Sequence, residues 1–413
     1  MSFSISRNST GVPSGGMVAG SLLDRVAISS ARVGNRTLFA VLLLCIGLVA
    51  ISEPTYRSVM SFAEQALVKA HAGYASIYVA RGLCEAGDRF GTRKTSGELA
   101  QGDYHCLVRQ AQREYAALGY TYKNNLQEYT PFGNWLYFSR TFLPPRVPGT
   151  ESWSPDELSF DADQTPRTSY RGKLVYNPVT IALYALSMHG RFVQGQVSAR
   201  DGFLHAANHL ISMQDALGAL RFPFAWHYYF AAKDYAPGWC SAMAQGLALS
   251  VFARAYHITG DRRYIQAGDK ALAFLLVPVS QGGVRGSLAN VDPALGKAVI
   301  FEEYPANPSA HTLNGFMYTI LGLYDWSSVP GQDAEQAHQY FDTSLNTLRS
   351  ILPYYDLGGF TAYDLSHLIR KSPPHVGVSY HGVHVFLLHA LVSITADEQL
   401  KYFETRWASY VPR

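Results

Sequence analysis

Charge is scarce in this chain. Of 413 residues, 34 are Lys or Arg and 31 are Asp or Glu, a formal net charge of +3. So even a balance creates no long-range field, and no basic tail or low-complexity run accompanies it, so nucleic acid is not an expected partner. An anionic polymer held in a local basic cleft stays compatible with these numbers. Cysteine is scarcer still, at 4 residues, and no CxxC or Cys/His spacing suggests a zinc site. GxSxG, a Walker loop and a dinucleotide fingerprint are also missing, which removes the usual nucleophile-elbow, P-loop and Rossmann readings. Carboxylates, histidines and tyrosines are left as the available acids and bases, and tyrosine is abundant, at 27 residues.

Long apolar runs are equally rare, with one clear case at residues 38–51, LFAVLLLCIGLVAI. Arg7, Arg25, Arg32 and Arg36 precede it, and Glu53 and Pro54 follow. Positive charge stays on the cytoplasmic side. The run suits a spanning helix or the core of a signal peptide, and Ala50-Ile51-Ser52 resembles a small-x-small cleavage site; an uncleaved single-pass anchor is the expected reading. The chain then divides into a cytosolic disordered tail (1–36), the anchor or signal segment (37–52), a helical and β-rich front region (53–177) and a helical domain (178–413). Everything after residue 53 is expected to lie outside the cytoplasm, in a periplasm or a Golgi lumen. There Cys84 and Cys106 are candidates for a disulfide, while Cys240, at a small-residue helix start, reads as a buried thiol.

Residues 120–178 are rich in Tyr, Trp, Pro, Gly and Thr and read as short strands and turns. Beyond them, helix-length apolar segments recur in pairs, at 178–190 with 200–213, 239–258 with 261–275, 312–326 with 334–351, and 381–394 with 396–408. In ITGDRRY, Gly260 suits the left-handed position that ends one helix, and Asp261 suits the cap of the next. Hairpin-like stretches at 220–239, 282–305 and 353–380 separate the pairs. The expected fold is mostly α, an α/α barrel of paired helices with a smaller β-rich amino-terminal region; an open α-solenoid is the competing architecture.

Three of the loops between pairs carry a tyrosine beside acidic or histidine residues: EEYP at 302–305, TAYDLSHL at 361–368 and SYHGVHV at 379–385. A tyrosine is more often a core or rim residue than a catalyst. Tyr304 stands out because Glu302 and Glu303 precede it and Pro305 follows, which keeps the backbone extended and alternates the side chains, so that spacing alone does not say which Glu is functional. Asp364 also suits a helix N-cap. His381 and His384 can share a helix face, but a metal needs a third ligand, and no metal site is expected. A tyrosine base requires a cation or hydrogen-bond donors beside its phenolate, a role open to His367, His381 and Arg370. Abstracting a proton next to a carboxylate further requires that the substrate's charge be neutralised, for which Asn314 and His311 are suitable donors.

These residues resemble a specific family. PGWCSAMAQGLALSVFARAY from Pro237, EEYP, LNGFMYTILGLYD from Leu313, LPYYD from Leu352, AYDLSHL from Ala362 and SYH from Ser379 are similar to runs in the D-glucuronyl C5-epimerases, which convert D-glucuronic to L-iduronic acid in heparosan-type polymers. The resemblance covers roughly residues 237–410. It implies an α/α barrel behind a β-rich front, and an active centre of Tyr304, Tyr363 and Tyr380 with Glu303 beside them. Asn314 and Tyr318 become expected substrate contacts, joined by His311, His367, His381, Arg370, Tyr176 and Asn177 as candidates. No cofactor is expected: the resemblance also implies a calcium site in the front region, which is shorter here. An anionic uronate-containing polysaccharide is the implied partner, and a homodimer the implied assembly. Two departures stand out. Ser366 occupies the place of a basic residue expected to hold the substrate carboxylate, and Ser379 stands where an Asp precedes the last tyrosine; Arg370, Lys371, His375, His227 or Tyr228 could make good the lost charge. A polysaccharide lyase, which abstracts the same proton and then eliminates, and an inactive glycan-binding homologue are the alternatives.

Overall fold

A computed structural model describes residues 104–117, 129–133, 135, 158–331, 333–370 and 373–411. The expected tail, the anchor at 37–52 and Cys84 lie outside the described residues. Cys106 is disulfide-bonded, and Cys240 is a buried free thiol, its pKa pushed up to about 11 by burial.

Two compact units divide the chain, Met1–Glu114 with Leu357–Gly359 and Tyr115–Asp356 with Phe360–Arg413. The described part of the first holds most of helix α1 (His105–Ala117), and there Gln112 donates to the Gly359 carbonyl at 2.8 Å.

The second unit opens with a three-stranded antiparallel sheet of β1 (Ser159–Phe160), β2 (Pro166–Tyr170) and β3 (Lys173–Val175), in the order β1-β2-β3. Arg171 and Gly172, at φ of 49° and 76°, turn β2 into β3 with the left-handed pair that suits a two-residue hairpin. Helices then come in pairs: α2 (Pro178–Val193) with α3 (Ala199–Met213), α4 (Ala242–Thr259) with α5 (Arg262–Leu275), α6 (Leu313–Ser327) with α7 (Ala334–Tyr355), and α9 (Val378–Thr395) with α10 (Glu398–Ala408). The short α8 (Ser366–Arg370) precedes the last pair. Each expected pair is present, and the chain is mostly helical.

Within a pair the two helices pack together, and α2 packs on α4, α4 on α6 and α6 on α9, so these four form an inner row. Their sequences explain the placement. Every residue of Ala242–Ala255 in α4 is buried, as is every residue from Leu313 to Leu323 in α6, whereas α5 and α7 bury one face; a helix apolar all round belongs inside. Two glycines set the closest approach. A Cβ at Gly246 would sit 2.5 Å from the Thr319 Cα, and one at Gly322 would sit 2.1 Å from the Gly246 carbonyl oxygen. Between α4 and α6, Arg254 and Asp325 form a sealed ion pair at 2.6 Å, to which Tyr129 adds its hydroxyl at 2.7 Å from Asp325. Among the described residues α9 is the one helix long and apolar enough to cross a membrane; His381, His384 and Val385 to Leu388 on it are buried against its neighbours.

Boundaries follow capping chemistry. Asn177 accepts from the Val179 N–H at 2.9 Å with Pro178 at the first turn, and Gly260, at φ 69°, ends α4 before Asp261 accepts from Arg263 N–H to start α5. The segments between pairs are hairpin-like as expected: Phe222 bridges Trp239 and Trp226 bridges Tyr235, β4 (Arg285–Ser287) pairs antiparallel with β5 (Val299–Phe301), and Asp356 bridges Thr361.

Candidate active site

Strand β5 delivers two consecutive glutamates, and the alternation of an extended chain sends them to different places. Glu302 accepts from His311 Nδ1 at 2.7 Å and packs on Gly286, where a Cβ would lie 2.3 Å from its Oε1. Glu303 instead accepts from Asn314 Nδ2 at 3.4 Å and packs on Gly315, whose absent Cβ would lie 2.4 Å from its Oε2. Gly286 and Gly315 thus leave room for one carboxylate each.

Glu303 is the perturbed one. Burial raises its pKa from 4.5 to about 7, and the nearby Asp364 adds to this, while the Tyr304 hydroxyl and Asn314 oppose it. A carboxyl titrating there is ionised in a large fraction of molecules at neutral pH and able to take or give a proton. Beside it, Tyr304 interacts with Glu303 and with the Tyr363 hydroxyl, and burial with the Glu303 charge holds its phenol well above the usual range. Tyr363 is raised likewise by burial and then by Glu303, Tyr304 and Tyr380. The Tyr363 and Tyr380 rings lie 4.6 Å apart. Three loops, after β5, before α8 and at the start of α9, therefore bring Glu303, Tyr304, Tyr363 and Tyr380 together. At rest the Tyr304 and Tyr363 phenols are protonated.

A slab of aromatic rings backs Tyr304. Tyr228 stacks on it at 4.4 Å, Trp239 lies nearly parallel at 6.1 Å and Trp226 at 6.4 Å. All three come from the 220–239 hairpin, propped by Tyr170 of β2, whose ring lies 4.7 Å from Trp226 and whose hydroxyl accepts from the His227 N–H at 3.0 Å.

Asp364 is a cap and more. Its Oδ1 accepts from the Ser366 N–H at 3.0 Å, while Oδ2 takes the Tyr229 hydroxyl and His375 Nδ1, the latter at 3.1 Å. Burial pushes its pKa up, but the His375, Ser366 and Tyr229 contacts outweigh it and leave the carboxyl below its ordinary value. The Ser366 hydroxyl in turn donates to the Tyr229 oxygen at 3.0 Å. Sequence reasoning singled out His227 and Tyr228 in this hairpin and passed over Tyr229; the hairpin's register, which decides which ring faces α8, leaves no mark on composition.

Other predicted residues are engaged elsewhere. His311, at φ 59°, has its nitrogens on Glu302 and, at 2.8 Å, on Asn290, while its carbonyl accepts from Tyr355 at 2.6 Å. A left-handed histidine persists only where its surroundings over-determine it, as these three bonds do. His381 is buried between Thr361 and the Trp407 carbonyl, its pKa lowered to about 4 by burial. Tyr318 stacks at 5.8 Å on Trp135, His367 is buried, Tyr176 donates to Asp161 at 2.6 Å and Asn177 caps α2. Arg370 lies over the Phe230 ring at 3.9 Å and donates to the Phe230 carbonyl. Among the described residues no group of three or more His, Cys, Asp or Glu side chains converges as a metal would require, and no step below is routed through calcium.

Comparison with known proteins gives this arrangement a context. Residues 214–409 match the family described as D-glucuronyl C5-epimerase C-terminus. A D-glucuronyl C5-epimerase of Caenorhabditis elegans is 32% identical over 236 residues, 54% of this chain and 37% of that protein. An uncharacterised protein of Methanocaldococcus jannaschii is 30% identical over 187 residues, 44% of this chain and 56% of its own length. The chain thus spans less than two thirds of either relative.

Proposed function

We propose that this chain, whose residues 214–409 belong to the D-glucuronyl C5-epimerase carboxy-terminal domain family, is a polysaccharide uronate C5-epimerase converting D-glucuronate to L-iduronate in a heparosan-like polymer. The observation that carries the reading is Glu303, a buried carboxyl titrating at about 7 in contact with a cluster of protonated phenols. Inversion at C5 needs one group on each face of the sugar ring. Glu303 takes the C5 proton, and the electron pair of the broken C–H bond delocalises into the substrate carboxylate as an enediolate. A phenol on the opposite face, from Tyr380 or Tyr363, donates its proton to C5, and the pair returns to form the new C–H bond. The protein is left with a protonated Glu303 and a phenolate. Exchange with water then resets both groups, with Tyr304 touching Glu303 and Tyr363 as the link between them, and the reverse reaction exchanges the two roles. Asn314, held against Glu303, supplies a donor for the enediolate charge.

The four helix pairs make the wall of an α/α barrel in this reading, with the three loops on one rim. The segment at 37–52 anchors the chain and leaves the catalytic domain outside the cytoplasm, in a periplasm or Golgi lumen; a homodimer is part of the same proposal. Turnover on heparosan bearing deuterium at C5 tests the reaction: label must pass to water while the chain length of the polymer is kept. Shortened chains with ultraviolet-absorbing unsaturated ends would mark a lyase, and retained label with tight polymer binding a glycan-binding homologue.

A further inference from the structure

We propose that His375, seated on the buried Asp364, is the positioning hydrogen-bond donor that receives the carboxylate of the bound uronate in place of the basic side chain absent at position 366. This rests on the epimerase reading of the same site. Ser366 is buried, at 2% exposure, with its hydroxyl turned to Tyr229, so it offers the ligand nothing. Asp364 is sealed from solvent, whereas the side chain of its partner His375 is 40% exposed. A carboxylate on Nδ1 orients the ring and leaves Nε2 facing the open side, where it can donate to a ligand.

Placement supports the role. The His375 ring meets Tyr363 at 4.9 Å and Tyr229 at 4.6 Å, both edge-on. The Tyr363 N–H donates to the His375 carbonyl at 2.7 Å, which ties the histidine's backbone to the loop that carries a proposed proton donor. Asp364, Tyr229 and Tyr363 are thus the titratable groups around it, and one of the three bears charge. Arg370, the rival donor, is committed to the ring and carbonyl of Phe230, and Lys371 lies outside the described residues. Asp364 and the substrate carboxylate then flank one imidazole ring, an arrangement that orients the uronate while leaving C5 to Glu303 and the tyrosines.

The test uses the full chain and its His375→Gln, His375→Lys and Asp364→Asn variants, with a uronate hexasaccharide and the same sugar with its carboxyls reduced. KM and kcat for C5 exchange and the affinity for each sugar are read after matching melting curves. Loss of one charge-assisted hydrogen bond is expected to raise KM for the uronate sugar about ten-fold or more in His375→Gln, with kcat less affected. His375→Lys recovers most of that loss, Asp364→Asn shifts KM the same way as His375→Gln, and affinity for the reduced sugar is unchanged throughout. An unaltered KM in His375→Gln, or equal losses for both sugars, overturns the assignment. Wild-type chain that neither binds nor exchanges uronate overturns the epimerase reading and this assignment with it, whereas active wild type with indifferent variants removes the assignment alone.

Discussion

Replacing Glu303 by Gln separates its chemistry from its burial. In the folded chain the carboxyl titrates at about 7 instead of 4.5 because it is buried beside Asp364. The folded state therefore keeps a proton that the unfolded chain has released across that interval, so folding stability falls as pH rises from about 4.5 to about 7 and is level above it. At about 1.4 kcal/mol per pH unit the loss amounts to about 3 kcal/mol. Glutamine keeps an acceptor for Asn314 and carries no titrating proton, so this part of the pH dependence should vanish. Urea unfolding of both chains at about pH 5 and about pH 8.5 measures it: wild type should lose about 2.5 kcal/mol more than Glu303→Gln over that range. Activity should move the other way, with C5 exchange by wild type rising with pH to a plateau above about 7 and the variant slower by about 10² to 10⁴. Parallel stability profiles for the two chains would refute the perturbed carboxyl, and an active variant would refute its role.

Gly315→Ala should drive a methyl into Glu303 Oε2, from which a Cβ would be 2.4 Å; denaturant melts should show a loss of about 1 to 3 kcal/mol, and C5 exchange should fall more than stability does. Asp325→Asn, which strands the sealed Arg254 guanidinium, should cost about 3 to 5 kcal/mol, whereas an Arg254→Met, Asp325→Leu double variant should recover part of it in the same melts. Asn177→Ala, by removing the cap on α2, should cost about 1 kcal/mol and leave the KM for uronate unchanged, which separates a capping residue from a substrate contact.

Helix boundaries were legible wherever a cap and a left-handed stop sit side by side, as at Gly260 and Asp261, because these are chemical requirements of four to six residues. Pairing was legible from helix-length apolar segments that recur two by two between hairpin-like stretches. Spacing alone did not say which glutamate belongs to the site, and only the family resemblance pointed to Glu303; Glu302 and Glu303 have the same chemistry and are parted by their packing on Gly286 and Gly315. His311 was expected as a substrate contact from its place near the EEYP motif; in the fold its nitrogens meet Glu302 and Asn290. Tyr229 and the depth of the Asp364 network depend on a hairpin meeting a helix about 135 residues later, a contact that no local pattern encodes. The phenols were expected to need a neighbouring cation or hydrogen-bond donors in order to act as bases; burial raises the pKa values of Tyr304 and Tyr363, and the Glu303 carboxyl beside them titrates nearer neutral pH.

The most direct measurement incubates the full chain with heparosan in deuterated water and follows C5 by NMR, alongside Glu303→Gln and Tyr380→Phe. The account predicts deuterium at C5 together with new iduronate signals from the wild-type chain, and neither signal above background from either variant. Wild-type chain that leaves C5 protonated on heparosan and on other uronate polymers would contradict it.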